Sequence, residues 1–277
     1  WFRFHLNTGR MEYLRPVLSR GGSFPREGAY CWLMDRTGNV WVGTPGYGVA
    51  KYPLRTERFH RLPMDGRPLN RSTIVSADPS GDVLLCMVDI VRLNSRAEGL
   101  VRDPAYVAME REGLKAAWFT AAMDPSGDLW FGGETSDPQV HLFRYDQRER
   151  KVIQVTNDPN DRIVSTFPGL GSDLWVINAT DATLASHQLT LYDTRSGAKV
   201  ASYDFPGLIK SGTYREIACW RIRADGALWM GTGHGVFAFD PHTERWQHFE
   251  HAPGDSTSLP ADMVFSLCFD PDEPARY

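Results

Sequence analysis

Among side chains able to bind a metal or carry out acid–base chemistry, the eight histidines come first. They form no His-x-His or His-Glu-x-x-His pair, and no Cys/His group has zinc spacing, whereas a metal centre needs several such ligands converging. His242 and His248 flank outer strands of a repeat described below, and His187 and His234 fall in its loops, where a surface histidine is the simpler reading. The Asp-Pro-Ser-Gly-Asp runs at 78–82 and 124–128 have the carboxylate density of a calcium loop. Calcium takes about six to eight converging oxygens, and these residues are spaced as a tight turn instead. No Ser-His-Asp set, glycine-rich phosphate loop or nucleophile elbow is present. No catalytic residue, metal or cofactor is therefore expected.

Recognition chemistry is better represented. Trp32, Tyr47, Tyr214 and Trp220 have faces that stack on a sugar ring, and Glu134, Asp137 and Arg215 can hydrogen-bond its hydroxyls. His187 and His234 stand in neighbouring loops. A tryptophan on an inner strand also packs between sheets, so Trp32 and Trp220 have a structural reading beside the binding one.

What must position these residues is a repeat. Five segments, 34–44, 77–85, 123–133, 169–176 and 223–232, share a turn rich in Asp and Gly followed by an apolar strand. Their anchors are Trp41, Leu84, Trp130, Trp175 and Trp229, at spacings of 43, 46, 45 and 54 residues. A second motif follows the anchor at 49–59, 142–146, 189–197 and 236–246, and residues 2–11 repeat it without the upstream half. In the turn, Asp bonds its own backbone and Gly takes positive φ. Apolar residues alternate with period two on both sides. Each repeat holds four short strands, in the first complete one roughly 29–34, 39–44, 48–53 and 58–62. Four-stranded units of roughly 40–45 residues, repeated, predict an all-β chain, a β-propeller of antiparallel blades. Five complete blades are predicted at 24–62, 71–110, 116–155, 162–203 and 214–250, with partial strands at 1–20 and 261–277 making a sixth. The anchor Trp fills the wedge between neighbouring blades. Only 107–118 looks mildly helical, and it fits a loop between blades.

Composition agrees with one such domain over 1–277: nine Trp, ten Tyr and fourteen Phe accompany 25 Gly and 18 Pro. The net charge of -4, with scattered basic residues, gives no attraction to nucleic acid. The longest apolar runs, such as 83–88, are far below the roughly 20 residues of a membrane span. Cys31, Cys86, Cys219 and Cys268 form no CxxC pair and are expected to be unpaired packing residues.

The repeat resembles that of the two-component regulator propellers, most closely at 38–59 and 225–249, and 252–260 resembles their blade linker. The likeness weakens where Leu84 replaces Trp and where 176–178 replaces the Gly-Thr step. Membership would imply a periplasmic sensory portion of a bacterial membrane regulator, with signalling output and membrane anchor in parts outside this chain. It would also imply an oligosaccharide or small-molecule ligand, no enzyme activity in this chain, and a homodimer of the full-length sensor as an allowed assembly. The ligand face would carry the loops between second and third strands and the blade connectors, which is where the recognition residues above fall. The alternatives are a lyase resembling the streptogramin lyases, which use a metal with His and Glu and for which Glu134 and His234 occupy suitable loops, and a non-catalytic docking propeller.

Overall fold

The computed structural model describes residues 2–5, 8–13, 31–34, 39–44, 48–53, 60–61, 73–77, 83–86, 90–93, 100–134, 140–156, 162–179, 186–206 and 217–269. By contacts the chain divides into two units, Trp1–Arg111 and Glu112–Tyr277.

Among the described residues the first unit holds three antiparallel sheets. Two strands, β1 (Phe2–His5) and β2 (Arg10–Tyr13), form a hairpin. The second sheet comprises β3 (Cys31–Met34), β4 (Asn39–Thr44), β5 (Gly48–Pro53) and β6 (His60–Arg61), and the third β7 (Thr73–Ala77), β8 (Val83–Cys86), β9 (Ile90–Leu93) and β10 (Leu100–Arg102). Helix α1 (Pro104–Arg111) follows β10 and packs against β9. Asp103 caps it, its Oδ1 accepting the Ala105 N–H at 2.8 Å, and Ala105 and Met109 are its buried residues.

The second unit holds three four-stranded sheets. These are β11 (Lys115–Met123) to β14 (Lys151–Gln154) by way of β12 (Leu129–Glu134) and β13 (Val140–Asp146); β15 (Arg162–Pro168), β16 (Asp173–Ala179), β17 (His187–Asp193) and β18 (Ala198–Asp204); and β19 (Ile217–Ile222), β20 (Leu228–Thr232), β21 (Gly235–Asp240) and β22 (Arg245–Phe249). In every sheet the strands lie in chain order, each antiparallel to the next. The expected all-β, four-stranded construction is thus what the chain adopts.

The repeated turn shows why its residues recur. Asp124 Oδ1 accepts the Ser126 N–H at 2.9 Å, the Ser126 hydroxyl at 2.6 Å and the Asp128 N–H at 3.0 Å, while Oδ2 accepts Trp130 Nε1–H at 2.9 Å. One carboxylate therefore shapes the turn and pins the anchor indole. Gly127 closes the turn at φ 93°. This use of Asp124 is the hairpin reading, not the calcium one. In the last sheet Arg223 stands at the position of Asp124, and it pairs with Asp225 inside the turn.

Two of the anchors, Trp130 and Trp175, fill wedges between sheets as expected, while Trp229 stacks on Phe249 of its own sheet. Trp130 packs with Leu174, Val176 and Tyr192 of the next sheet, and Trp175 with Leu228, Met230, Phe237 and Phe239 of the one after. The two anchors face the same way along the chain, toward the following sheet. Arg144, opposite Trp130 in the register, sits 5.7 Å from its ring, and Lys51 sits 4.9 Å from Trp41 in the same relation.

Several expectations are revised. The helix lies at Pro104–Arg111 rather than 107–118, and Lys115–Met123 is strand, so the helical periodicity ends at Gly113 (φ 71°). Residues 263–269, expected as an inner strand, are in no sheet. They run beside the last sheet, where Val264 N–H donates to the Thr232 carbonyl at 2.9 Å and the Phe269 ring meets Trp229 edge-on at 6.2 Å. Cys268, placed on that segment, is exposed, while Cys219 is half-buried with its thiol pushed up by burial. The sequence carried no expectation about bulges, and the first strands of three sheets contain them. Val75, Val164 and Ala218 are each an extra residue in β7, β15 and β19.

Candidate functional site

The second strand of each sheet leads into the third, and of the second unit's candidate residues Glu134, His187 and His234 lie at or beside those strand ends. Glu134 is the last residue of β12, His187 the first of β17, and His234 lies between β20 and β21. Sheets of equal strand order packed through shared cores place these three hairpin ends on one edge of the unit. Their heights differ. The last hairpin closes on the Thr232–Gly235 pair, whereas the two before it extend to Glu134–Val140 and Ala179–His187.

The last hairpin end is the best defined. Thr232 Oγ1 accepts the His234 N–H at 2.9 Å and donates to the Gly235 carbonyl at 3.0 Å, tying the turn across itself. His248 on β22 donates from Nε2 to the His234 carbonyl at 2.7 Å, lies flat on Phe237 (4.2 Å between centroids, 9° between planes), and has Nδ1 3.8 Å from Glu250. The His234 side chain is exposed. Beyond β22, His251 N–H donates to Asp262 Oδ1 at 2.7 Å, and the Asp262 carbonyl accepts the Gly235 N–H at 2.6 Å. The blade connector is thereby bonded straight to the turn that presents His234.

Of the other candidates, His187 is nearly buried and opposite Ala179. Trp220 is the fourth residue of β19, half-buried against the apolar cluster of the last two sheets, with its ring 5.2 Å from Phe167. Trp32 lies on β3 and Glu134 on β12, and their side chains fall outside the described residues, as do Tyr47, Asp137, Tyr214 and Arg215 entirely. Sequence reasoning missed Thr232, His248, His251 and Asp262 as organisers of this edge. Thr232 belongs to the repeated Gly-Thr step and carried a signal; the other three carry none that periodicity or turn chemistry would reveal. Among the described residues, no three His, Cys, Asp or Glu are grouped so as to hold a metal ion.

No protein-family model and no curated protein matches the chain. Solved structures do match. The Dos1 propeller aligns over 91% of this chain and 62% of its own, at 10% identity and TM-score 0.52. The chain has a β-propeller fold. A match over more of this chain, 95%, is the extracellular domain of a proposed hybrid two-component system from B. thetaiotaomicron, at 15% identity and TM-score 0.66. That alignment takes up 34% of the other chain, so the present propeller segment spans about a third of the length of that domain. A streptogramin B lyase matches over 89% of this chain and 74% of its own, at 13% identity and TM-score 0.57.

Proposed function

We propose that the chain is a ligand-sensing propeller segment of a bacterial membrane-bound regulator, facing the periplasm and binding a carbohydrate-like ligand at the hairpin-end edge. The observation that carries this reading is the alignment of 95% of the chain with the extracellular domain of a hybrid two-component system. The resemblance of the repeat to regulator propellers supports it independently. In this reading each four-stranded sheet is one complete blade, and β1–β2 is part of a further, partial one. Trp32, Tyr47, Tyr214 and Trp220 supply stacking faces, and Glu134, Asp137, His187, Arg215 and His234 supply polar contacts. Signalling output and membrane anchoring lie in other parts of the receptor, which acts as a homodimer.

Calorimetry of the chain against a panel of oligosaccharides tests the ligand. Binding to one class, weakened at least tenfold by Trp32→Ala and Tyr47→Ala, is the expected result. Binding unaffected by both changes would remove the site while leaving the sensor. No binding across the panel would remove the carbohydrate class and favour a docking propeller.

A propeller lyase is the second reading, because the lyase match covers more of its own chain than the sensor match does. Glu134 and His234 would then stand near the reacting centre. Chromatographic turnover of a streptogramin B in the presence of divalent metal, abolished by His234→Ala, would establish it.

A further inference from the structure

The Thr232–Gly235 turn and the connector that follows β22 are joined by more than adjacency. Four hydrogen bonds link them or their supports: Gly235 N–H to the Asp262 carbonyl, Val264 N–H to the Thr232 carbonyl, His251 N–H to Asp262 Oδ1, and His248 Nε2–H to the His234 carbonyl. Packing adds a fifth link. Gly231 has no side chain, and a Cβ there would lie 2.8 Å from Val264 Cγ1 and 2.6 Å from Cys219 Sγ. The missing side chain lets Val264 seat directly over the inner-strand thiol. Cys219 Sγ in turn lies 4.0 Å from the Val264 carbonyl and receives the Leu267 N–H.

The segment is otherwise lightly held. Met263 is 60% and Phe265 73% exposed, so two of its three large apolar side chains near Val264 contribute little burial. Between 262 and 264 the hold on the sheet is two backbone bonds and the Val264 side chain, with Leu267 N–H and the Phe269 ring adding contacts further on, and segments with few buried apolar contacts lie at the low end of local stability.

We propose that the Thr232–Gly235 turn and residues 250–264 form one coupled unit, so that displacing the turn lifts Val264 and uncovers Cys219. This rests on the sensor reading only for its meaning: a ligand held at His234 would act on the connector, and through it on the chain that follows. The hydrogen bonds and the Val264 contact make a continuous path between the two ends, and the coupling itself is what the experiment below measures.

The test needs no ligand, so its failure is separable from a failure of the calorimetry. The intact chain is treated with N-ethylmaleimide under native conditions, and Cys219 modification is followed by peptide mass spectrometry. Thr232→Val keeps the side-chain volume and removes both turn hydrogen bonds. His248→Phe keeps the stack on Phe237 and removes the bond to His234. Each is expected to speed Cys219 labelling at least tenfold, together with faster amide exchange at 262–264. Asp240→Asn, at the opposite end of the same sheet, serves as the control and is expected to leave the labelling rate within twofold. Unchanged labelling in both turn variants, or equal acceleration in the control, overturns the proposal. Should Thr232→Val fail to fold, His248→Phe decides alone.

Discussion

Asp124 shapes a turn and holds an anchor indole with one carboxylate. Its carboxylate is 5% exposed and takes four hydrogen bonds, one from the buried Trp130 indole. Removing a buried charged acceptor leaves its donors unpaired, at about 1–3 kcal/mol per group. Asp124→Ala should therefore cost about 3 kcal/mol in urea unfolding, while Asp225→Ala, an exposed carboxylate whose main partner is the half-buried Arg223, should cost under about 1 kcal/mol. Two residues in the turns between third and fourth strands are strained: Arg150 and Glu244 both hold φ 55°, where the corresponding residue of the β17–β18 turn is Gly197 at φ 72°. The left-handed region costs a residue with a Cβ about 1 kcal/mol. Arg150→Gly and Glu244→Gly should each raise stability by about that amount, read as a shift in urea midpoint without a change in slope. Acid sensitivity is set by the same turns. The Ser196 hydroxyl and Arg195 N–H hold Asp193 down to about 2, and Arg223 does the same for Asp225. Folded values below the unfolded one of about 4 stabilise the protein above pH 4, and that contribution is lost as pH falls toward 2. Asp128 and Asp173, raised chiefly by burial, have the opposite sign and relax on protonation. Asp193→Asn with Asp225→Asn should flatten the loss of stability between pH 4 and 2, followed by near-ultraviolet circular dichroism.

Within elements, Trp130 is fully buried between two sheets, hydrogen-bonded at Nε1 and flanked by Arg144. Trp130→Ala should cost about 3–5 kcal/mol by urea denaturation, the range for emptying a large buried aromatic site. Turns and anchors were legible in the sequence because their chemistry is local: Asp, Gly and Trp at fixed offsets determine a hairpin and its wedge without reference to the rest of the chain. The bulges in β7, β15 and β19 were not, since Ile163–Ser165 and Ile217–Cys219 look like uninterrupted strand, and only pairing with the second strand reveals the extra residue. Residues 263–269 misled for a related reason. Their apolar content reads as strand whether or not a neighbouring strand is paired with them. The candidate edge was half legible. Loop position identified His187 and His234, but His248, His251 and Asp262 act through main-chain groups far away in sequence, and no local pattern marks such partners.

For the molecule as a whole, the division between Arg111 and Glu112 is the feature with a direct consequence. Arg111, Glu112 and Gly113 are exposed, at the end of α1. Brief trypsin treatment should cut after Arg111 and leave a 112–277 fragment whose three sheets retain their near-ultraviolet signal, checked by mass spectrometry and circular dichroism. Its two apolar clusters lie wholly within that fragment, so cutting there removes no member of either.

The extra residues Val164 and Ala218 have one more implication, for how such a scaffold diversifies. In an unbroken strand Ile217 and Cys219 would share a face. Here they pair with Thr232 and Gly231, neighbours that point to opposite faces, so the strand's two ends are out of phase. An insertion or deletion at that point turns over the side chains at the hairpin-end edge while leaving Trp220 to Ile222 in register with the wedge. Lineages can therefore exchange what the edge presents, one residue at a time, without repacking the interior that keeps the sheets together.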